Sequence, residues 1–259
     1  MAEAGERRGT QSLERGIRLL RTLATRPQFG WRLSDLAAAS GLDKGTVHRM
    51  LGCLVAERLV EQRAGDRHYL PGPLLFELGL ARPERAQFQR AAEPLLRALA
   101  REFGGVAFLL LRSGNEYVCC LRTGTQPLTA LMVYPGTRRP LFTSVGGVAI
   151  LQTLPAPEVQ AILADNTAQE IVRQGTQRLT ALAQMRERSA RHGFGVNLGD
   201  VVPGLHAFAV PVQGASTAFA ALCLAGPAEF FAESRLPEIR QALEGAAQAL
   251  AAEAGKFSM

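Results

Sequence analysis

The sequence predicts an α+β chain in two parts: three helices and a small β-hairpin, a helical connection, then an α/β part built on an antiparallel sheet. Three observations lead there. Apolar residues recur at helical spacing through the first 60 or so positions and then give way to a short hairpin pattern. Pro71, Pro73 and Pro83 bracket a short apolar helix. From Val106 onward an apolar period of two alternates with further helices. At 259 residues, 47% of them apolar, the chain can fill two cores.

The first element, Ser12 to Leu23, is amphipathic. Leu13, Ile17 and Leu20, with Leu19 and Leu23 on the adjoining flank, form its apolar face, and Arg15, Arg18 and Arg21 lie mostly opposite. Leu33 to Gly52 follows with the spacing of two helices crossing at a tight turn. Ala37 is small where the helices approach, and Gly41 can take the positive φ of a sharp helix exit. Val47 and Met50 fall on the inner face of the second helix, and Leu36, Leu42, Leu51 and Leu54 complete the core. Asp43 is a good N-cap for that helix.

Leu59 to Leu70 reads as a hairpin, with Val60 and Gln62 before a turn at Ala64, Gly65 and Asp66 and a return strand from His68 to Leu70. Three helices followed by a basic hairpin make a winged helix-turn-helix, expected over residues 1–73. Lys44, Gly45, Thr46, His48 and Arg49 then lie on the outer, N-terminal part of the second helix of the pair, the portion that enters a major groove. Arg63 and Arg67 flank the hairpin tip, within reach of phosphates or a minor groove. A solvated charged face is the ordinary alternative. Behind a helix of this kind the DNA reading is preferred.

Charge leans the same way. The chain carries 29 basic and 23 acidic residues, net +6, and residues 1–83 hold 13 and 9 of them. A DNA-binding head on a nearly neutral body has this asymmetry. Only Lys44 and Lys256 are lysine, so the arginine preference itself says little about phosphate. No apolar run approaches the roughly 18 residues of a membrane span. The N-terminus shows no apolar signal region, so a cytoplasmic protein without a membrane partner is expected. Cys53, Cys119, Cys120 and Cys223 and the four histidines show no metal-ligand spacing. Neither a metal nor another cofactor is expected.

Residues 74–91 are expected to be a helical linker. Leu74 to Leu80 is a short helix, and Glu84 to Phe103 a second one, kinked or started near Pro94. Leu75, Phe76, Leu78 and Leu80 are too apolar to leave in water. Burying them in a homodimer would pair two heads about 34 Å apart on DNA. In the body, residues 92–259, Val106 to Leu111 is a strand, a turn follows at Ser113 to Glu116, and Tyr117 to Leu121 is its partner. Leu128 to Val133 is a third strand. Val145 to Leu154, Pro157 to Leu163, Leu179 to Arg191 and Leu236 to Ala254 read as helices, and Leu205 to Val212 and Ala218 to Leu224 as strands.

With both halves in view, the chain resembles the IclR family of bacterial transcriptional regulators over nearly its whole length, from Gln11 to the last helix. Leu42 to Leu51 is similar to the family's recognition-helix pattern, and Tyr69 to Leu75 to the segment after the wing. Pro135 to Ala149, Arg191 to Asn197, Gly204 to Val212 and Phe219 to Pro227 match in order through the body. The resemblance implies a GAF-like effector-binding domain for small organic acids or aromatic catabolites. It also implies a homodimer or homotetramer that represses or activates a metabolic operon by binding a double-stranded DNA operator.

A pocket also follows from the residues themselves. Thr143 and Ser144 open a helix at Val145, Gly146 and Gly147, where glycines let a ligand approach backbone N–H groups and the helix dipole favours an anion. The other reading is that the two glycines only permit close helix–sheet packing. The resemblance favours the pocket and implies that it is lined by Val145, Gly146, Asn197, Ala207, Cys223 and Ala225. Here the sequence departs from the family. Asn197 replaces an acidic residue, Cys223 and Ala225 replace hydroxyls, Val148 a lysine and Phe142 a histidine. An acidic pair after Asn197 is replaced by Leu198 and Gly199. Each buried hydrogen bond left unpaired by a hydroxylated acid would cost roughly 1–3 kcal/mol. A larger, more apolar aromatic acid or ester fits better, and a domain that binds nothing and only dimerises is the alternative. Phe108, Met132, Phe142, Phe208 and Phe219 are lining candidates that double as core, and His206 and His192 are candidate carboxylate partners. Catalysis is disfavoured. Ser144, His206 and Asp200 make an imaginable triad without a nucleophile elbow, and Cys119 or Cys120 has no visible partner to lower its pKa.

Overall fold

The computed structural model describes residues 10–26, 28–124 and 131–256. They fall into two compact units that meet in sequence at Pro83 and Glu84. The expected linker helices are divided between them.

The first unit contains helices α1 (Gln11–Leu23), α2 (Leu33–Ser40) and α3 (Lys44–Ala56), strands β1 (Val60–Gln62) and β2 (Tyr69–Pro71), and α4 (Pro73–Gly79). Its core is Leu19, Leu23, Trp31, Leu36, Ala37, Val47, Leu51, Val60 and Tyr69, with Leu42, Met50 and Leu54 packed at its edge. Gly41 adopts φ +67° and Asp43 caps α3, as their residue types predict. One expectation is revised on α1. Leu19 and Leu23 are fully buried, whereas Leu13 and Ile17 are 65% and 49% exposed. The helix carries two apolar stripes, and α2 and α3 cover only one. The wing gains a bridge from Trp31 to Tyr69, with N–H···O distances of 2.9 and 2.8 Å, so the segment before α2 clamps the hairpin. The Arg26 guanidinium stacks 3.9 Å from the centre of the Trp31 ring.

The second unit is built on an antiparallel sheet in the order β5-β4-β3-β8-β7-β6. Its strands are β3 (Val106–Ser113), β4 (Glu116–Thr123), β5 (Arg138–Pro140), β6 (Gly195–Leu198), β7 (Leu205–Gln213) and β8 (Ala218–Pro227). Alternation along β8 shows how two cores arise. Ala220, Leu222 and Leu224 join α5 (Pro83–Phe103) and α9 (Leu236–Lys256) in one cluster. Ala221, Cys223 and Ala225 join α6 (Val145–Leu151), α7 (Ala156–Gln174) and α8 (Leu179–His192) in the other.

Several boundaries move. Helix α5 runs without interruption through Pro94, which is neither its start nor its end. Helix α7 extends to Gln174, well past Leu163. In the expected strand at Leu128 to Val133, residues 128–130 lie outside the described residues and 131–133 are not extended in a sheet. The neighbour of β4 is instead β5, with Tyr117 opposite Arg139. Strand β6 had no visible alternation, being only four residues long. Buried Asn166 ties α7 to the rest: its amide donates to the Asn115 carbonyl at 2.9 Å and accepts from the Phe142 N–H at 3.3 Å.

Candidate functional site

The outer face of α3 is assembled locally. The Asp43 carboxylate accepts from the Thr46 N–H at 2.8 Å, which satisfies one of the orphan donors of the first turn. Those bonds to Thr46, aided by Arg49, hold the Asp43 carboxyl below its ordinary pKa. Lys44, Gly45, His48 and Arg49 are exposed and Thr46 is half-buried. Arg49 donates to the Thr46 hydroxyl at 3.2 Å. The helix therefore presents one adjoining donor set, anchored from behind by Val47 and Leu51.

The two wing arginines separate into different roles. Arg63 forks onto Asp66 at 3.0 and 2.6 Å and donates to the Phe29 carbonyl at 3.0 Å. That ion pair holds the Asp66 carboxyl far below the usual carboxylate range. Arg63 thus fixes the turn. Arg67 occupies the turn at φ +56° and is exposed at the tip. Arg67→Ala is expected to weaken binding to all DNA sequences alike and to flatten the salt dependence of log K by roughly one unit. Anisotropy titrations across salt concentration read this directly. An unchanged slope would remove Arg67 from the phosphate contacts.

In the second unit a cavity of about 400 Å³ opens between the sheet and helices α6 to α8. Val145, Asn197, Ala207, Cys223 and Ala225 line it, so five of the six expected residues come together. Gly146 does not line it. A Cβ on Gly146 would lie 2.4 Å from the Cys223 sulfur, and one on Gly147 would lie 1.8 Å from the Leu141 carbonyl oxygen. Both glycines serve close packing of α6. The Gly147 N–H is moreover taken by the Ser144 hydroxyl at 3.0 Å. Of the aromatic and apolar candidates, Phe108 and Met132 line the cavity. Phe208 and Phe219 belong to the opposite face of the sheet, and Phe142 is plain core.

His206 also lines the cavity, its Nδ1 2.7 Å from the Phe231 carbonyl, while His192 stacks edge-on against Phe194 elsewhere. Asn197 is spent on the loop after β6, accepting from the Val201 N–H at 3.3 Å. Residues that sequence reasoning missed are Tyr117, Arg139, Arg173 and Arg178, all on the wall. Glu170, fully buried, bonds Arg173 at 2.6 Å and Arg178 at 3.1 Å.

No hydrolytic or thiol site emerges from these residues. Ser144 caps α6, and Asp200 pairs with Arg188 at 3.0 Å, so the imagined triad has no geometry. Burial pushes the thiols of Cys119 and Cys120 up to about 12 and about 11, the reverse of what a nucleophile requires.

Comparison with known proteins decides the family. The IclR helix-turn-helix domain matches residues 12–64, and the bacterial transcriptional regulator IclR C-terminal domain matches residues 83–252. The chain belongs to the IclR family. It is a transcriptional regulator of that type, with an N-terminal DNA-binding domain. A relative among IclR regulators is the HTH-type transcriptional repressor AllR of Salmonella typhi, 27% identical over 235 residues, spanning 90% of this chain and 86% of AllR. The crystal structure of an IclR family transcriptional regulator from Brucella abortus superposes with a TM-score of 0.74 at 21% identity, covering 97% of this chain and 95% of that one. An IclR homolog complexed with 4-hydroxybenzoate from Microbacterium hydrocarbonoxydans gives a TM-score of 0.67 at 18% identity, covering 95% and 99%. Both structures share the IclR fold. Among the described residues, no helix is long and apolar enough to cross a membrane.

Proposed function

We propose that this IclR-type regulator binds a dyad-symmetric operator through α3 and the wing tip, and that a small organic or aromatic acid in the second unit controls that binding. The observation that carries the DNA reading is the exposed N-terminal half of α3, where Lys44, Thr46, His48 and Arg49 adjoin on a helix held by the Asp43 cap. Gly45 adds to that surface by keeping the backbone open there. Lys44 and Arg67 supply the positioning charge.

A homodimer or homotetramer is proposed because α4 and its C-cap leave Phe76, Leu78 and Leu80 at 72%, 58% and 62% exposure, and α1 leaves Leu13 and Ile17 uncovered. A second copy bringing the same stripes would bury them and set two recognition helices one DNA turn apart. The cavity supports the effector role: it is of ligand size and lined by apolar side chains together with a few polar and charged ones. The Microbacterium homolog's complex with 4-hydroxybenzoate is consistent with an acid in a domain of this fold.

A gel-shift assay on the intergenic DNA beside the protein's own gene tests the reading. A discrete complex at moderate salt, resistant to excess unrelated duplex, is expected. Binding no tighter than to unrelated duplex would overturn the regulator reading for that site.

A further inference from the structure

The cavity wall is polarised in a way that the apolar substitutions do not suggest. At one end stand Val145, Cys223 and Ala225, which are 6%, 4% and 3% exposed. The polar groups nearby are already committed. Ser144 accepts from Gly147, Thr143 donates to the Pro140 carbonyl at 2.7 Å, and Asn197 holds its loop. A carboxylate placed there would be desolvated with no cationic side chain among these residues to receive it.

The solvent edge is the opposite. Arg139, Arg173 and Arg178 line it, and among the described residues of the wall there is no Asp or Glu. Glu170 behind them bonds both Arg173 and Arg178. One carboxylate among three guanidinium groups leaves an excess of about two positive charges, mutually repelling in a partly dehydrated site. Burial, and then the neighbouring Arg173 and Arg139, oppose the charge on Arg178, while Glu170 supports it. Arg139 is bonded to the Met132 carbonyl at 2.8 Å through one nitrogen, which leaves the rest of its fork for a ligand. Tyr117, fully buried and pushed above its ordinary pKa chiefly by desolvation, keeps its hydroxyl proton and faces the same cavity.

We propose that the effector is a hydrophobic monocarboxylic acid whose carboxylate is held by Arg139 and Arg178 at the solvent edge, with its apolar body against Val145, Cys223 and Ala225. This rests on the effector reading above and adds the orientation and the residue that selects for the anion. An arginine fork discriminates an acid from its neutral isostere because only the carboxylate accepts two charge-assisted hydrogen bonds. The apolar end discriminates against short hydroxy acids, whose hydroxyls would go unpaired.

The test is a thermal-shift and calorimetric comparison on the full chain with 3-phenylpropionate, benzoate and octanoate, their amides, and lactate. At least one of the three acids should bind at least tenfold more tightly than its amide and than lactate. Arg139→Gln should lower affinity for that acid at least tenfold and affinity for its amide much less, so that the acid-to-amide ratio collapses. Arg139→Lys, which keeps the charge and loses the fork, should fall between the natural chain and Arg139→Gln in its preference for the acid. Equal binding of acid and amide by the natural chain, an unaffected Arg139→Gln, or no binding of any of the three acids at about 10 mM would overturn the proposal. Gel shifts on the same preparations keep the two readings apart. A chain that binds its DNA but fails these ligand tests contradicts the inference alone, and one that binds no DNA contradicts the regulator reading.

Discussion

Gly147→Ala should lower the melting temperature of the second unit by roughly 6–12 °C, corresponding to about 3 kcal/mol. The added Cβ would lie 1.8 Å from the Leu141 carbonyl oxygen and 2.5 Å from its carbon. That obstacle is backbone, in a tight turn capped by Ser144, so no rotamer change relieves it. Gly146→Ala makes an informative contrast. Its Cβ would meet the Cys223 sulfur at 2.4 Å and Leu110 Cδ1 at 2.8 Å, both side chains. Combining Gly146→Ala with Cys223→Ala should recover part of the loss, whereas Cys223→Ala should not rescue Gly147→Ala. Scanning calorimetry of the four variants reads both effects. A Gly147→Ala protein that melts like the natural one would mean that α6 does not sit this close to Leu141.

Arg49→Ala should cost about 1–3 kcal/mol in operator affinity, a loss of roughly 5- to 150-fold, with little change for unrelated DNA. Arg49 is exposed on α3 and donates to the Thr46 hydroxyl, 3.2 Å away. Turning to base edges need not break the helix: the Thr46 hydroxyl also bonds the Asp43 carboxylate and would exchange that bond for a base, while the Thr46 N–H keeps the cap at 2.8 Å. Thr46→Ala should therefore lose specificity as well. The double variant should lose less than the sum, since the two side chains share one contact. Competition anisotropy with operator and scrambled duplexes would show this. Equal losses on both duplexes would assign Arg49 to phosphate instead of base.

The DNA-binding unit was largely legible because its determinants are local. Gly41, Asp43 and the Val47–Leu51 face lie within one short segment, and each acts through its nearest neighbours in sequence. The error on α1 has a physical source. Leu13 and Ile17 are as apolar as Leu19 and Leu23, and only the crossing of α2 and α3 decides which stripe is covered. The wing arginines looked equivalent by position, and the Asp66 carboxylate distinguished them.

The cavity was half legible. Its apolar wall comes from positions that the family resemblance supplies, and five of those meet. Its arginines could not be read, since Arg139 sits on β5 while Arg173 and Arg178 flank the end of α7. In a chain with 29 basic residues, nearly all arginine, nothing in sequence marks those three. In sequence the glycine pair is compatible with a ligand or with close packing, and the short distances from α6 to Cys223 and Leu141 give Gly146 and Gly147 a packing role.

Selection of bound duplexes from a random-sequence pool, carried out in parallel with the natural chain and Arg49→Ala, tests the central claim most directly. The natural chain should enrich a dyad-symmetric motif with half-sites about one helical turn apart. Arg49→Ala should relax the base preference at the same position of each half-site while keeping the spacing. An unenriched pool from the natural chain, or an identical motif from both proteins, would contradict the assignment of α3 as the helix that reads DNA.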